Sequence, residues 1–353
     1  MPNLFDSLTL RGTTFANRIW VSPMCQYSAI NGVVGEWHMA HLGAFATGGT
    51  GLIVAEATGV VAEGRISIGC PGLYNDEQVV AWQRITTFAH TQGVKIGIQL
   101  AHAGRKAGTA LPGSDHMMAT PEEGGWQAVA PSAIAFPGYP EPRELTHDQV
   151  KGLVTSFGAA AKRAVNAGFD LVEIHAAHGY LLHEFYSPLS NTRTDEYGGS
   201  YENRTRLLKE VTSEVRASIP SDMPLFVRIS ASDWTEGGWT IEESVKLSGE
   251  LTALGVDLID VSSGGNVAKA NITVGPGYQV HFAEAIKNAG AAMTSAVGMI
   301  TDPEQAQEIV SSGRADAVMM AREFLRNPRW PLEAAAKLGQ EVRWPIQLQR
   351  GKR

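Results

Sequence analysis

The feature that most constrains this chain is a rhythm: eight short apolar runs recur along it, with amphipathic stretches between most of them. The runs are Arg18–Ser22, Gly51–Glu56, Lys95–Leu100, Leu171–His175, Leu225–Ile229, Leu258–Ser262, Ala292–Ala296 and Ala317–Ala321. Each is too short for a buried helix and too continuously apolar for a strand with one wet face, which is the pattern of parallel strands covered on both sides. The intervening stretches Asp76–Thr91, His147–Ala167, Tyr201–Ser218, Ile241–Leu254, His281–Asn288 and Asp302–Ser311 carry helical periodicity. Thr301-Asp302-Pro303-Glu304 has the composition of a helix start, and Ala167-Gly168 and Leu254-Gly255 of helix ends.

Eight strands that mostly feed helices predict an α/β fold, a single (β/α)8 TIM barrel spanning 1–353, better than an open doubly wound sheet. No Gly-x-Gly-x-x-Gly follows any strand, which argues against a dinucleotide-binding Rossmann domain. A barrel needs roughly 250 residues, and this chain has 353. Part of the surplus sits after strand three, where 107–145 is irregular and rich in Gly and Pro. A segment of that length is expected to serve as a capping, lid-like insertion.

Composition removes several classes of function. The 36 acidic residues exceed the 29 basic ones, a formal net charge of −7, whereas nucleic-acid binders usually carry a basic face. Two cysteines, Cys25 and Cys70, are too few for a disulfide framework, a four-cysteine zinc site or an iron–sulfur cluster. No signal-like N-terminus or membrane-length apolar run is present, so a cytoplasmic location is expected.

In such a barrel the reactive groups belong at the C-terminal ends of the strands. Those ends read Ser22-Pro23-Met24-Cys25-Gln26-Tyr27, then Glu56-Ala57-Thr58, then Gln99 followed by His102-Ala103-Gly104-Arg105-Lys106, then His175-Ala176-Ala177-His178-Gly179-Tyr180. Arg228 follows on strand five, Gly298 after strand seven, and Ala321-Arg322 at strand eight. Two histidines three residues apart can serve a metal, with His183-Glu184 adding ligands, or donate two N–H bonds to an oxygen that gains charge in a reaction. They can also merely satisfy buried backbone groups, and the cluster alone leaves the three open. Tyr180 beside them is a workable proton donor. Gly298 and Arg322 occupy the position where such barrels hold phosphate. Arg228 inside a barrel is costly unless it meets an anion.

The segments Arg18–Tyr27, Gln99–Lys106, His175–Ser200 (HAAHGYLLHEFYSPLSNTRTDEYGGS), Val227–Ser230 and Ala321–Pro328 together resemble the Old Yellow Enzyme family of flavin-dependent ene-reductases. The likeness is strongest to the bacterial branch that includes xenobiotic reductases and thermophilic-like members. It implies a noncovalent FMN, reduced by NADPH or NADH. Ser22, Pro23, Met24 and Cys25 would line the isoalloxazine with Ala57 nearby; Gln99 and Arg228 would meet its pyrimidine side; Gly298, Ala321 and Arg322 would hold the phosphate. The substrate, an activated alkene bearing a carbonyl or nitro group, would be held by His175 and His178 and protonated by Tyr180, with Tyr27 touching it. The tail 340–353 resembles one that carries an arginine, here Arg350, into a neighbouring subunit's site, which implies a homodimer or homotetramer. Against this stand a metal-dependent barrel hydrolase built on the histidines and an FMN reductase acting on RNA, of the dihydrouridine-synthase type.

Overall fold

In a computed structural model that describes residues 1–352, eight parallel strands close into a barrel. They are β1 (Ile19–Val21), β2 (Leu52–Gly59), β3 (Lys95–Ala101), β4 (Leu171–Ala176), β5 (Leu225–Ser230), β6 (Leu258–Ser262), β7 (Thr294–Ala296) and β8 (Ala317–Met320). Each pairs with the next in sequence, and β8 returns to β1 through Val318 opposite Ile19 and Met320 opposite Val21. Closure leaves no sheet edge, so every strand can be apolar on both faces.

The helices cover the outside. They are α1 (Glu36–Ala46), α2 (Asp76–Thr91), α3 (His147–Asn166), α4 (Arg206–Ser218), α5 (Ile241–Ala253), α6 (Val280–Asn288), α7 (Pro303–Ser311) and α8 (Trp330–Lys337). Side-chain caps fix several starts: Asn75, Thr146 and Thr240 each accept the backbone N–H three residues on, and Asp302 caps α7 ahead of Pro303. The predicted helix 201–218 is divided at Thr205 into a short turn, Tyr201–Arg204, and α4. Among the described residues no helix is long and apolar enough to cross a membrane.

The bottom of the barrel is plugged. An antiparallel hairpin, Leu8–Leu10 with Thr13–Phe15, packs Leu8, Leu10 and Phe15 against Trp20, Leu52, Leu171, Phe226 and Leu258. The rings of Phe15, Trp20 and Phe226 stand 5.0 to 6.3 Å apart, and all three are fully buried. With this end filled, the C-terminal end is the one left for a ligand.

The segment 107–145 is anchored rather than loose. Thr109 pairs with Ser67 and Met118, Val129–Ala130 pairs with Arg143–Glu144, and the Trp126 indole donates to the Glu63 carbonyl at 2.8 Å. The tail 341–349 forms a groove with Asn17, Thr50, Gly93 and Val94, which precede β1, β2 and β3. It therefore lies by the N-terminal ends of the strands, opposite the mouth.

The plug makes a stability prediction. Phe226→Ala removes the ring shared by the hairpin and the barrel floor, and urea unfolding should report a loss of about 3–5 kcal/mol.

Candidate active site at the barrel mouth

Beneath the mouth, inward-facing residues of neighbouring strands form a buried polar layer. Arg228 on β5 pairs with Asp260 on β6 (Nε to Oδ2, 3.1 Å) and donates to Ser22 Oγ at 3.0 Å, while Ser295 on β7 donates to the other Asp260 oxygen at 3.0 Å. On β3 and β4, Gln99 Nε2 donates to Glu173 Oε1 at 2.8 Å. Glu173 is pushed up to about 8 by burial and by Asp260, against the pull of Arg228, so near neutral pH it is largely protonated; Asp260 is also raised by burial, with Arg228 and the Ser295 hydroxyl opposing the rise. The anion that Arg228 requires is thus supplied by the protein itself. Motif reading does not single out Glu173 or Asp260, although a lone carboxylate in each apolar strand is a signal that points to them.

Above this layer stand His175, His178 and Tyr180, with ring centroids 5.2 Å apart for both His175–His178 and His175–Tyr180. Both imidazoles are held well below the ordinary histidine value, chiefly by burial and then by the charge of Arg228. Each is therefore neutral and carries one N–H. His175 Nδ1 is buried without a partner among the described residues. His178 Nε2 meets Ser262 Oγ at 2.8 Å; when the serine hydroxyl donates there, the N–H of His178 sits on Nδ1. Burial raises the Tyr180 phenol well above its usual value, so it keeps its proton.

The backbone that presents these groups is tightly fixed. His178 has φ of +61°, held by Ser230 Oγ, which accepts its N–H at 2.8 Å. Gly179 crosses Gly265 so closely that a Cβ on it would lie 2.3 Å from the Gly265 carbonyl oxygen. Lys106, from the loop after β3, closes the crossing by donating to the carbonyls of His178 and Gly265, and its ammonium sits 4.6 Å from the Tyr180 ring centroid. Arg105 beside it grips Asn266 through its carbonyl and side chain at 2.7 and 2.9 Å. Burial brings the Lys106 amine down to about 8, with Glu184 opposing and Arg105 adding to the fall.

His183 and Glu184 do not join the cluster. His183 accepts the Gly179 N–H at 2.9 Å and faces Asp233 at 3.0 Å, and Glu184 accepts from the Arg105 N–H. The one group of side chains among the described residues close enough to share a cation is Cys25, Glu56 and Cys70, and no histidine belongs to it.

The expected phosphate residues converge. Gly298, Ala321 and Arg322 line a cavity of about 210 Å³ together with Ser262, Gln279 and Met320. Gly298 has φ of +133°, and a Cβ there would come 3.2 Å from the Gln279 backbone nitrogen. Glu323 pairs with Arg326 at 2.6 Å, leaving Arg322 without an ion-pair partner among the described residues. A free guanidinium in a hollow beside an open glycine backbone fits a phosphate. Ser22, Pro23, Met24 and Cys25 run from the end of β1, Ala57 is on β2, and Tyr27 stands on the rim, 38% exposed, with φ of +54°. Arg350 is exposed in the turn Ile346–Gly351 on the tail, so its own chain's mouth is out of its reach. A larger hollow, about 690 Å³, lies on the outer surface between α3 and α4, where charged residues such as Lys151, Arg206 and Glu214 line it beside Val154, Thr155 and Leu254.

Fold and site together define a flavin-dependent oxidoreductase. The model of the NADH:flavin oxidoreductase / NADH oxidase family matches residues 3–341. The chain is 48% identical to an NADPH dehydrogenase of Geobacillus thermodenitrificans across 99% of this chain and 98% of that protein. Among solved structures, an Old Yellow Enzyme homologue from Zymomonas mobilis superposes with a TM-score of 0.77 at 31% identity, covering 98% of this chain and 96% of that one. A 2-naphthoyl-CoA reductase in complex with 2-naphthoyl-CoA gives 0.87 at 26% identity over 96% of this chain, which spans about half (52%) of that larger protein. The chain belongs to the NADH:flavin oxidoreductase / NADH oxidase family, which is the Old Yellow Enzyme family, and works with FMN and a reduced nicotinamide.

The Lys106 clamp predicts a pH limit. As pH rises through about 8 the amine loses its charge and turnover should fall, whereas Lys106→Arg should hold activity to higher pH. Lys106→Met loses the clamp on the His178 and Gly265 carbonyls; a positioning loss of about 1.5–3 kcal/mol, the worth of one charged hydrogen bond, should cut kcat/KM by roughly ten- to a hundredfold at pH 7. Steady-state pH profiles of the three proteins check this.

Proposed function

We propose that the enzyme is an ene-reductase, an NADPH or NADH dehydrogenase that saturates the C=C bond of α,β-unsaturated carbonyl or nitro compounds. The observation that carries this reading is the grouping of two neutral imidazoles with one protonated phenol at the mouth, each of the other two rings 5.2 Å from His175 by centroids. An oxygen acceptor can sit against the two N–H groups while the phenol reaches a carbon of the same small molecule.

In this reading Ser22, Pro23, Met24, Cys25 and Ala57 would line the isoalloxazine, Gln99 and Arg228 would meet its polar edge, and Gly298, Ala321 and Arg322 would hold the FMN phosphate. When bound and reduced by the nicotinamide, FMN supplies the hydride that the alkene β-carbon receives. The chain does the rest. His175 and His178 donate to the carbonyl or nitro oxygen, and their bonds strengthen as negative charge builds there, which is where transition-state stabilisation arises. A positive Arg228 below favours electron density at the mouth, and its pairing with Asp260 keeps that field moderate. Tyr180 delivers its proton to the α-carbon. Its raised affinity for protons keeps it loaded until a strongly basic carbon develops beside it. Tyr27 and the segment 107–145 would shape the substrate's outer end, and the partner's Arg350 would complete the wall in a homo-oligomer.

The purified protein should be yellow, should bleach with NADPH, and should recover its colour when cyclohexenone is added; failure of the last step excludes the alkene reaction. Tyr180→Phe should leave bleaching by NADPH intact while slowing enone turnover by roughly 10²–10⁴-fold. His175→Ala and His178→Ala should each weaken enone and phenol binding about tenfold, the value of a hydrogen bond near 1.4 kcal/mol, with FMN retained. Arg322→Ala should instead weaken FMN by roughly ten- to a hundredfold, read by fluorescence as the flavin dissociates.

A further inference from the structure

The two cysteines of the chain, from the loops that follow β1 and β2, have been brought to one place. The sulfurs of Cys25 and Cys70 and a carboxylate oxygen of Glu56 all lie within 4.8 Å of one another. Cys70 is fully buried in an apolar pocket of Ala57, Ile66, Ala101, Ala103, Ala107 and Ala128, and Cys25 is the half-buried member, packed on the rim of the same pocket beside Tyr180. Glu56 is committed elsewhere: it accepts the Gln26 N–H at 2.9 Å and faces His38 Nε2 at 3.2 Å. That leaves two thiols facing each other, with Ser67 Oγ 3.3 Å from the Cys70 sulfur.

We propose that Cys25 and Cys70 are a redox modification site, closing to an intramolecular disulfide when the enzyme meets a hydroperoxide. The arrangement assigns different tasks to the two sulfurs. Cys25, the less buried of the two, attacks the peroxide as thiolate; its sulfur is oxidised to the sulfenic acid, the O–O bond breaks, and the leaving oxygen departs as water. Cys70 then attacks the Cys25 sulfur, the S–S bond forms, the S–O bond breaks, and a second water leaves. In total two thiols and one hydrogen peroxide give one disulfide and two waters. The S–H of Cys25 facing Cys70, with the Ser67 hydroxyl behind, holds the Cys70 thiol below its ordinary value, against its burial, which suits the thiol that resolves the intermediate. Cys25 itself is raised, by Cys70 and by burial, so the first step should quicken as pH rises. Any consequence for catalysis rests on the proposed placement of Cys25 against the flavin; the disulfide itself does not.

The test treats the FMN-loaded enzyme with hydrogen peroxide, blocks remaining thiols with iodoacetamide and maps peptides without reductant. The expected result is a peptide pair joined through Cys25 and Cys70, two hydrogens lighter than the free thiols and released by dithiothreitol. In Cys70→Ser and Cys70→Ala, Cys25 should instead carry added oxygen atoms. In the wild type, enone turnover should drop roughly tenfold, equivalent to about 1.4 kcal/mol of activation free energy, and return with dithiothreitol. Oxygen adducts on Cys25 with Cys70 still free, no reaction at either thiol, or a cross-link only between chains would overturn the proposal. A joined peptide pair with unchanged turnover would uphold the disulfide and overturn the placement of Cys25 at the flavin.

Discussion

The buried pairing of Arg228 with Asp260 governs what the rest of this barrel can do. A guanidinium in a closed sheet is tolerable only with a partner, and here the partner comes from the next strand, with Ser295 and Ser22 taking up further hydrogen-bonding capacity. Burial and the charge of Arg228 then shape the neighbouring groups. Glu173, next to Asp260, stays protonated near neutral pH, and His175 and His178, above Arg228, stay neutral. The protonation states that make the mouth a hydrogen-bond donor follow from burial together with one ion pair laid below it.

Much of the scaffold is legible in the sequence because it rests on local signals. Asp76–Thr91 is a helix with the same limits in sequence and structure, and Leu258–Ser262 likewise a strand, since caps and continuous apolar runs mark both. Elements without such signals are not legible. The hairpin Leu8–Leu10 with Thr13–Phe15 has strands of three residues, too short for any periodicity. The helix Glu36–Ala46 mixes apolar and polar residues around its whole circumference and so displays no face. Tyr201–Ser218 reads as one amphipathic run, yet the backbone is interrupted at Thr205, whose side chain bonds back to the Tyr201 carbonyl.

The site divides in the same way. His175, His178, Tyr180, Gln99, Arg228 and Arg322 stand at or near strand ends, where the barrel architecture directs attention to polar groups. Lys106, Ser262 and Cys70 matter through contacts 72, 84 and 45 positions away in the chain, with His178 for the first two and Cys25 for the third. Only closure of the barrel brings such partners together. Arg228 shows the same limit: its need for an anion is evident from its place in an apolar strand, but the identity of that anion depends on the register of β5 against β6.

The crossing of Gly179 over Gly265 has a consequence for how this enzyme can be altered. Two main chains in contact have no side chain between them that could be lengthened, trimmed or swapped, so the spacing of the histidine–tyrosine group is a fixed dimension of the scaffold. On the proposed function, variation in what the mouth accepts would then come from its perimeter, where Tyr27 stands exposed and the long segment after β3 is anchored. On that reading the reaction and the substrate range would be separately adjustable: the first would be tied to main-chain contact, and the second would be open to redesign without moving the first.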